Sequence, residues 1–115
     1  MREQGSGTRI SMEIFMREIP GWLEQPAIEM DSNETIKQSV MAGLGLAFIS
    51  GHTIASELEA NRLALLDVVG IPIRRQWFAV TQGDRGLTPA MTALQEFLAR
   101  EGSRHLPVVR PPPGT

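Results

Sequence analysis

At 115 residues, with 42% hydrophobic and 21% charged, the chain can form one small domain around a single core and is too apolar to be disordered throughout. A net charge of −2 leaves no basic footprint for nucleic acid or anionic membrane, and the absence of cysteine excludes disulfides, thiolate nucleophiles and cysteine-held metal. Residues Met1–Gly5 contain no apolar signal core, and no apolar run approaches the roughly 18 residues of a membrane span, so a cytoplasmic protein without a membrane partner is expected.

Gly5-Ser6-Gly7-Thr8 is too glycine-rich for a regular element. Ile10, Ile14 and Phe15, extended by Met12, Met16 and Ile19, recur at helical spacing and predict a helix that Pro20-Gly21 stops. Trp22 and Leu23 are expected to fold back onto the core, and Pro26 to release a short strand over 27–30. A second helix starts at Asp31-Ser32-Asn33-Glu34, with Asp31 as cap and Glu34 completing a capping-box-like pattern. Its stripe is Ile36, Val40 and Leu44, and Gly43-Leu44-Gly45 closes it where a positive φ is wanted. Leu46-Ala47-Phe48-Ile49 reads as a strand buried on both faces.

A third helix is predicted from about Thr53 to Ala60, with Ile54 and Leu58 inward and Asn61 as its stop. Strands over 63–66 and 74–81 follow, Trp77 and Phe78 pointing to opposite faces of the second. Thr88-Pro89 is a strong helix start, Met91, Leu94 and Leu98 line one face, and Gly102 ends the helix. From residue 103 a Pro-rich tail is expected, disordered or extended at Pro111-Pro112-Pro113. Helices alternating with strands give an α/β fold around a mostly parallel sheet.

The sharpest chemical feature is Gly5-Ser6-Gly7-Thr8-Arg9. Two glycines admit close backbone approach, and hydroxyls with unpaired amides at a helix start suit a phosphate or carboxylate. Arg9 would add a charge-assisted bond. The plainer reading is an ordinary loop and cap, and the glycine spacing lacks the Lys of a phosphate-binding loop. Ser32 and Asn33 form a second polar helix start, whose plainer reading is capping with Lys37 solvated. Ser50 ends a strand, where ligands sit in open α/β sheets, so it joins the candidates; His52 beside it more simply starts the next helix. His105 has no partner in prospect. No spaced histidine pair, nucleophile elbow or paired acid and base is present, so neither catalytic residue, metal site nor cofactor is assigned and the chain is expected not to be an enzyme.

Residues 2–9, Arg-Glu-Gln-Gly-Ser-Gly-Thr-Arg, resemble a segment of the LysR-type transcriptional regulators. Residues 32–40 with 42–50, and the stretch 65–77 with Leu87-Thr88-Pro89-Ala90, resemble two later segments of that family in the same order. The likeness spans residues 2 to about 100 and is nearest the branch that controls Calvin-cycle operons.

The resemblance implies an effector-binding domain of periplasmic-binding-protein-like (type II) fold. Residues 1–102 would be a partial domain, with about 2–50 in the second lobe and about 63–100 returning to the first. Gly5, Ser6, Gly7, Thr8, Arg9, Ser32, Asn33 and Ser50 would face the inter-lobe cleft. The implied ligand is a small anionic metabolite, either a phosphorylated sugar or acid or a nicotinamide nucleotide. The family's winged helix-turn-helix has no counterpart here, so a C-terminal fragment with no DNA binding of its own is expected. Pairing with a second copy or a regulator chain is also expected, since unpaired strand edges invite association. The alternatives are a stand-alone protein that dimerises with full-length regulators and a fragment of a solute-binding protein.

Overall fold

Local signals place the helices where capping and periodicity demand them. The computed structural model describes residues 1–22 and 27–110. Helix α1 spans Gly7–Arg17 with Ser6 as N-cap, so it starts two residues inside the glycine-rich segment. Helix α2 spans Asn33–Met41, and its cap is Ser32 rather than Asp31: the Ser32 hydroxyl accepts from the Thr35 amide at 3.4 Å. Glu34 does not reach back to complete a capping box. It turns along the helix to Lys37 and Gln38, where a cation and an amide offer better partners.

The end of α2 follows the expectation at Gly43, which has φ 82. The Gly43 amide donates to Val40 and the Leu44 amide to Ser39, closing the last carbonyls in a Schellman motif. Leu44 therefore lies beyond the helix and is exposed, and the inward stripe stops at Ile36 and Val40.

A 3-10 turn, Gly51–Thr53, precedes the short helix α3, Ala55–Glu59, which Asn61 ends in the left-handed region at φ 54. Helix α4 spans Pro89–Glu101 as its start signal requires, with Thr88 Oγ1 accepting from the Met91 amide at 3.3 Å and Pro89 in the first turn. A 3-10 turn, Gly102–His105, extends it past the expected stop, and the His105 ring lies 5.5 Å from that of Phe97. Residues 103–110 are thus not a free tail. Val109 settles against Gly51, its Cγ2 only 3.0 Å from where a Cβ there would sit. The triple proline at 111–113, like Leu23 and Pro26, lies outside the described residues.

The strands are the main correction. Segments 27–30, 46–49, 63–66 and 74–81 form no named strand, and the isolated bridge among the described residues is a parallel one, Arg2 to Met30. An apolar alternating run favours extended backbone, but a strand is completed only by a neighbour that takes its amides and carbonyls. Beyond that one bridge at Met30, no partner strand meets these segments among the described residues, and side chains stand in solvent, Leu46 at 82% and Trp77 at 81%. The α/β alternation survives as helices separated by unladdered connections. A radius of gyration of 17.4 Å, against about 13 Å for a compact domain of this length, reflects that openness.

The buried centre is small. Among the described residues, Ile36 of α2 and Ile54 at the entry to α3 are its apolar members, and Glu57 of α3 is buried as well. Phe15 of α1 stacks on Phe48 at 6.5 Å between ring centres, while α1 itself buries no residue fully and Trp22 remains half exposed. No helix among the described residues is long and apolar enough to cross a membrane.

Candidate functional site

The parallel bridge sets the geometry. Residues around Arg2 and Met30 run side by side in the same direction, with the Met30 amide donating to the Met1 carbonyl at 2.9 Å. Each segment leads within a few residues into a helix, the first into α1 at Gly7 and the second into α2 at Asn33. Both helix N-termini consequently lie within a few residues of the bridge.

Their chemistry differs. Ser32 spends its hydroxyl on the cap of α2, whereas Ser6 makes no side-chain cap bond, leaving the first-turn amides of α1 without one. Gly5 precedes them at φ 86, a conformation that glycine alone adopts freely, and nothing lies within 4 Å of where its Cβ would be. The backbone at Gly5 is thereby left open, with hydroxyls at Ser6 and Thr8 beyond it, while the Arg75 guanidinium lies against Gly7.

Asn33 is joined to this loop by a residue that sequence reasoning passed over. Arg2 donates from Nη1 to Asn33 Oδ1 at 2.6 Å and grips both carboxylate oxygens of Glu3 at 2.8 and 2.9 Å. That forked pairing holds the Glu3 carboxyl down at about 2. No local signal couples position 2 to position 33, because the link depends on a register known only after folding.

Arg9 has a different setting from the one expected. Its guanidinium bonds Glu13 at 2.8 Å, Glu29 and the Arg2 carbonyl, and its side chain is only 10% exposed. With two carboxylates already compensating its charge, it ties α1 to the 27–30 segment instead of standing free for an anion. Lys37 is likewise not solvated. Its ammonium bridges Glu34 at 2.7 Å and Glu57 at 2.9 Å, joining α2 to α3, and both carboxyls are lowered chiefly by that ammonium. Ser50 caps the Gly51–Thr53 turn, its carbonyl accepting from Thr53, and among the described residues no hydrogen bond links it to the two helix starts. His52 beside it is exposed. Among the described residues no group of three or more acidic, histidine or cysteine side chains could hold a metal ion.

These depressed carboxyls fix a pH response. A carboxyl held below its unfolded value stabilises the fold fully above that value and loses the contribution as pH falls through the folded one. For Glu3 the window runs from its ordinary 4.5 down to about 2. The thermal midpoint is expected to stay level above the upper limit and to fall across the window. The drop should be shallower in Lys37→Met, which removes the Glu34 and Glu57 share. A midpoint that rises on acidification would contradict these pairings.

A family profile described as the LysR substrate binding domain matches residues 1–103. An HTH-type transcriptional regulator CbbR of Sinorhizobium medicae is 57% identical over 112 residues, 97% of this chain and 36% of its own length. The CbbR of Xanthobacter flavus is 56% identical over 93% of this chain and 32% of its own length. A RuBisCO operon transcriptional regulator of Allochromatium vinosum is 48% identical over 90% of this chain and 34% of its own length. The chain spans about a third of the length of these curated relatives, which are regulators of transcription and not enzymes. No solved structure matches it.

Proposed function

This chain belongs to the LysR substrate-binding domain family, in the branch of the RuBisCO operon regulators, and we propose that it senses a small anionic metabolite for a transcriptional regulator of carbon fixation. The observation that carries the reading is the uncapped start of α1 beside the start of α2. Ser6 leaves the first-turn amides without a side-chain acceptor, and Gly5 leaves open space before them. Amides aimed outward at the positive end of a helix dipole favour a phosphate or carboxylate. Ser6 and Thr8 would donate from their hydroxyls, Asn33 would contribute its amide group from α2, and Ser50 would close the site from the end of the 46–49 segment.

In this reading the domain has two lobes, residues 2–50 in the second and 63–100 returning to the first. Ligand between them biases lobe closure, and closure rearranges an oligomer that holds DNA through a separate helix-turn-helix. The test is a thermal melt of the chain with phosphorylated sugars and acids and with nicotinamide nucleotides. A ligand that binds only the folded form adds about 2.7 kcal/mol at a hundredfold excess over its dissociation constant. A shift by one such compound, absent with its dephosphorylated counterpart, supports the proposal; indifference to all of them counts against it.

A second reading rests on the exposed apolar side chains of the 63–80 stretch, with Val69 at 96% and Val80 at 86%. Surface of that kind suits association with a full-length regulator. It requires a heterodimer on mixing with an intact relative, and weaker operator binding by that relative.

A further inference from the structure

We propose that the hollow between the outer face of α1 and the returning segment 70–75 is a second ligand site, taking a small monocarboxylate with a compact apolar body. It does not depend on the anion site at the start of α1. Ser11, Ile14, Phe15 and Glu18 lie at i, i+3, i+4 and i+7, hence on one face of the helix, and Gly70, Ile73 and Arg75 close the other side. The hollow is open to solvent and holds about 350 Å³, within the range of sites for small organic ligands.

The walls differ in chemistry along their length. Ile14, Phe15 and Ile73 supply an apolar floor, with Ile14 56% exposed among the described residues. Phe15 cannot swing in to fill the space. Its ring is stacked on Phe48, and its Cε2 lies 2.8 Å from where a Cβ on Gly70 would be, in direct contact with that backbone. Arg75 stands at the end nearer the start of α1, donating to the Gly7 carbonyl at 3.0 Å. That bond uses one of five guanidinium N–H groups, and among the described residues no carboxylate pairs with Arg75. Glu18, the C-cap of α1, marks the opposite end, eleven residues beyond Gly7 and roughly 16 Å at helical rise. One anionic group is drawn to Arg75, and a second at the far end is repelled by Glu18. A bisphosphate or dicarboxylate is disfavoured, and a monocarboxylate with an alicyclic or branched body fits.

Isothermal titration of the full chain with cyclohexanecarboxylate and with its neutral amide tests this. The acid should bind with one-to-one stoichiometry, at least about tenfold tighter than the amide, since a hydrogen-bonded charge is at stake. Arg75→Gln, at an exposed position, should erase that preference, and Ile73→Trp should abolish binding by filling the hollow. Thr8→Ala should leave it intact, which separates this site from the first. No binding at millimolar acid, equal binding of acid and amide, or an undiminished preference in Arg75→Gln overturns the proposal. Should Ile73→Trp fail to fold, the Arg75→Gln comparison decides alone.

Discussion

Ile36→Ala is expected to destabilise the chain by about 2–5 kcal/mol, read as a lowered midpoint in urea at unchanged slope. Ile36 is 3% exposed and is one of two buried apolar residues among the described residues. Deleting three carbons there loses their transfer free energy and leaves a void that neighbours fill only partly. Domains are commonly stable by only about 5–15 kcal/mol, and this one buries little, so such a loss is a large part of the total. Ile10→Ala, at a half-exposed position on α1, serves as the contrast and should change stability by no more than about 0.5 kcal/mol. Equal costs at the two positions would mean that the centre of the fold is not at the junction of α2 and α3.

Asn33→Asp should weaken binding of a phosphorylated ligand by more than tenfold while leaving the fold in place. The carboxylate keeps an acceptor oxygen for Arg2, so the 2.6 Å bond that joins the two helix starts is retained and gains charge assistance. It also sets a negative charge beside the space where the ligand's own anion would lie, and like charges in close proximity disfavour each other. Thr8→Ala is the milder companion. Removing one hydroxyl donor to a charged group costs about 1.5–3 kcal/mol, or roughly ten- to a hundredfold in affinity, and Thr8→Ser should restore most of it. Affinity unchanged in both Asn33→Asp and Thr8→Ala would move the ligand away from these helix starts.

Much of the helical framework was legible because its determinants are local. Thr88-Pro89, Gly43 and Asn61 act within one turn of their own position, and all three do in the structure what their chemistry predicts. Asp31 lost the cap of α2 to Ser32 by one residue, a margin that residue type alone does not resolve. The strands were not legible, because pairing is decided by chain segments far apart in sequence. Arg9 and Lys37 illustrate the same limit for charge: each reads as free beside a helix start, yet each is drawn inward by a carboxylate brought from elsewhere, Glu29 and Glu57. The helix start after Gly5-Ser6 was readable, but the absence of a Ser6 cap bond and the positive φ of Gly5 emerge only in the structure.

The bridge between Arg2 and Met30 bears on how the molecule transmits force. A wide sheet would fix the attitude of α1 to α2 rigidly. Here it is set by a single paired position, with the Arg9–Glu29 and Arg2–Asn33 ties acting as guy-lines on either side. Ions weaken such tethers, and the screening length shortens to about 3 Å at molar salt. Molar salt is therefore expected to loosen the Arg9–Glu29 tie and let α1 shift against α2, while the Arg2–Asn33 bond, made to a neutral amide, is less affected.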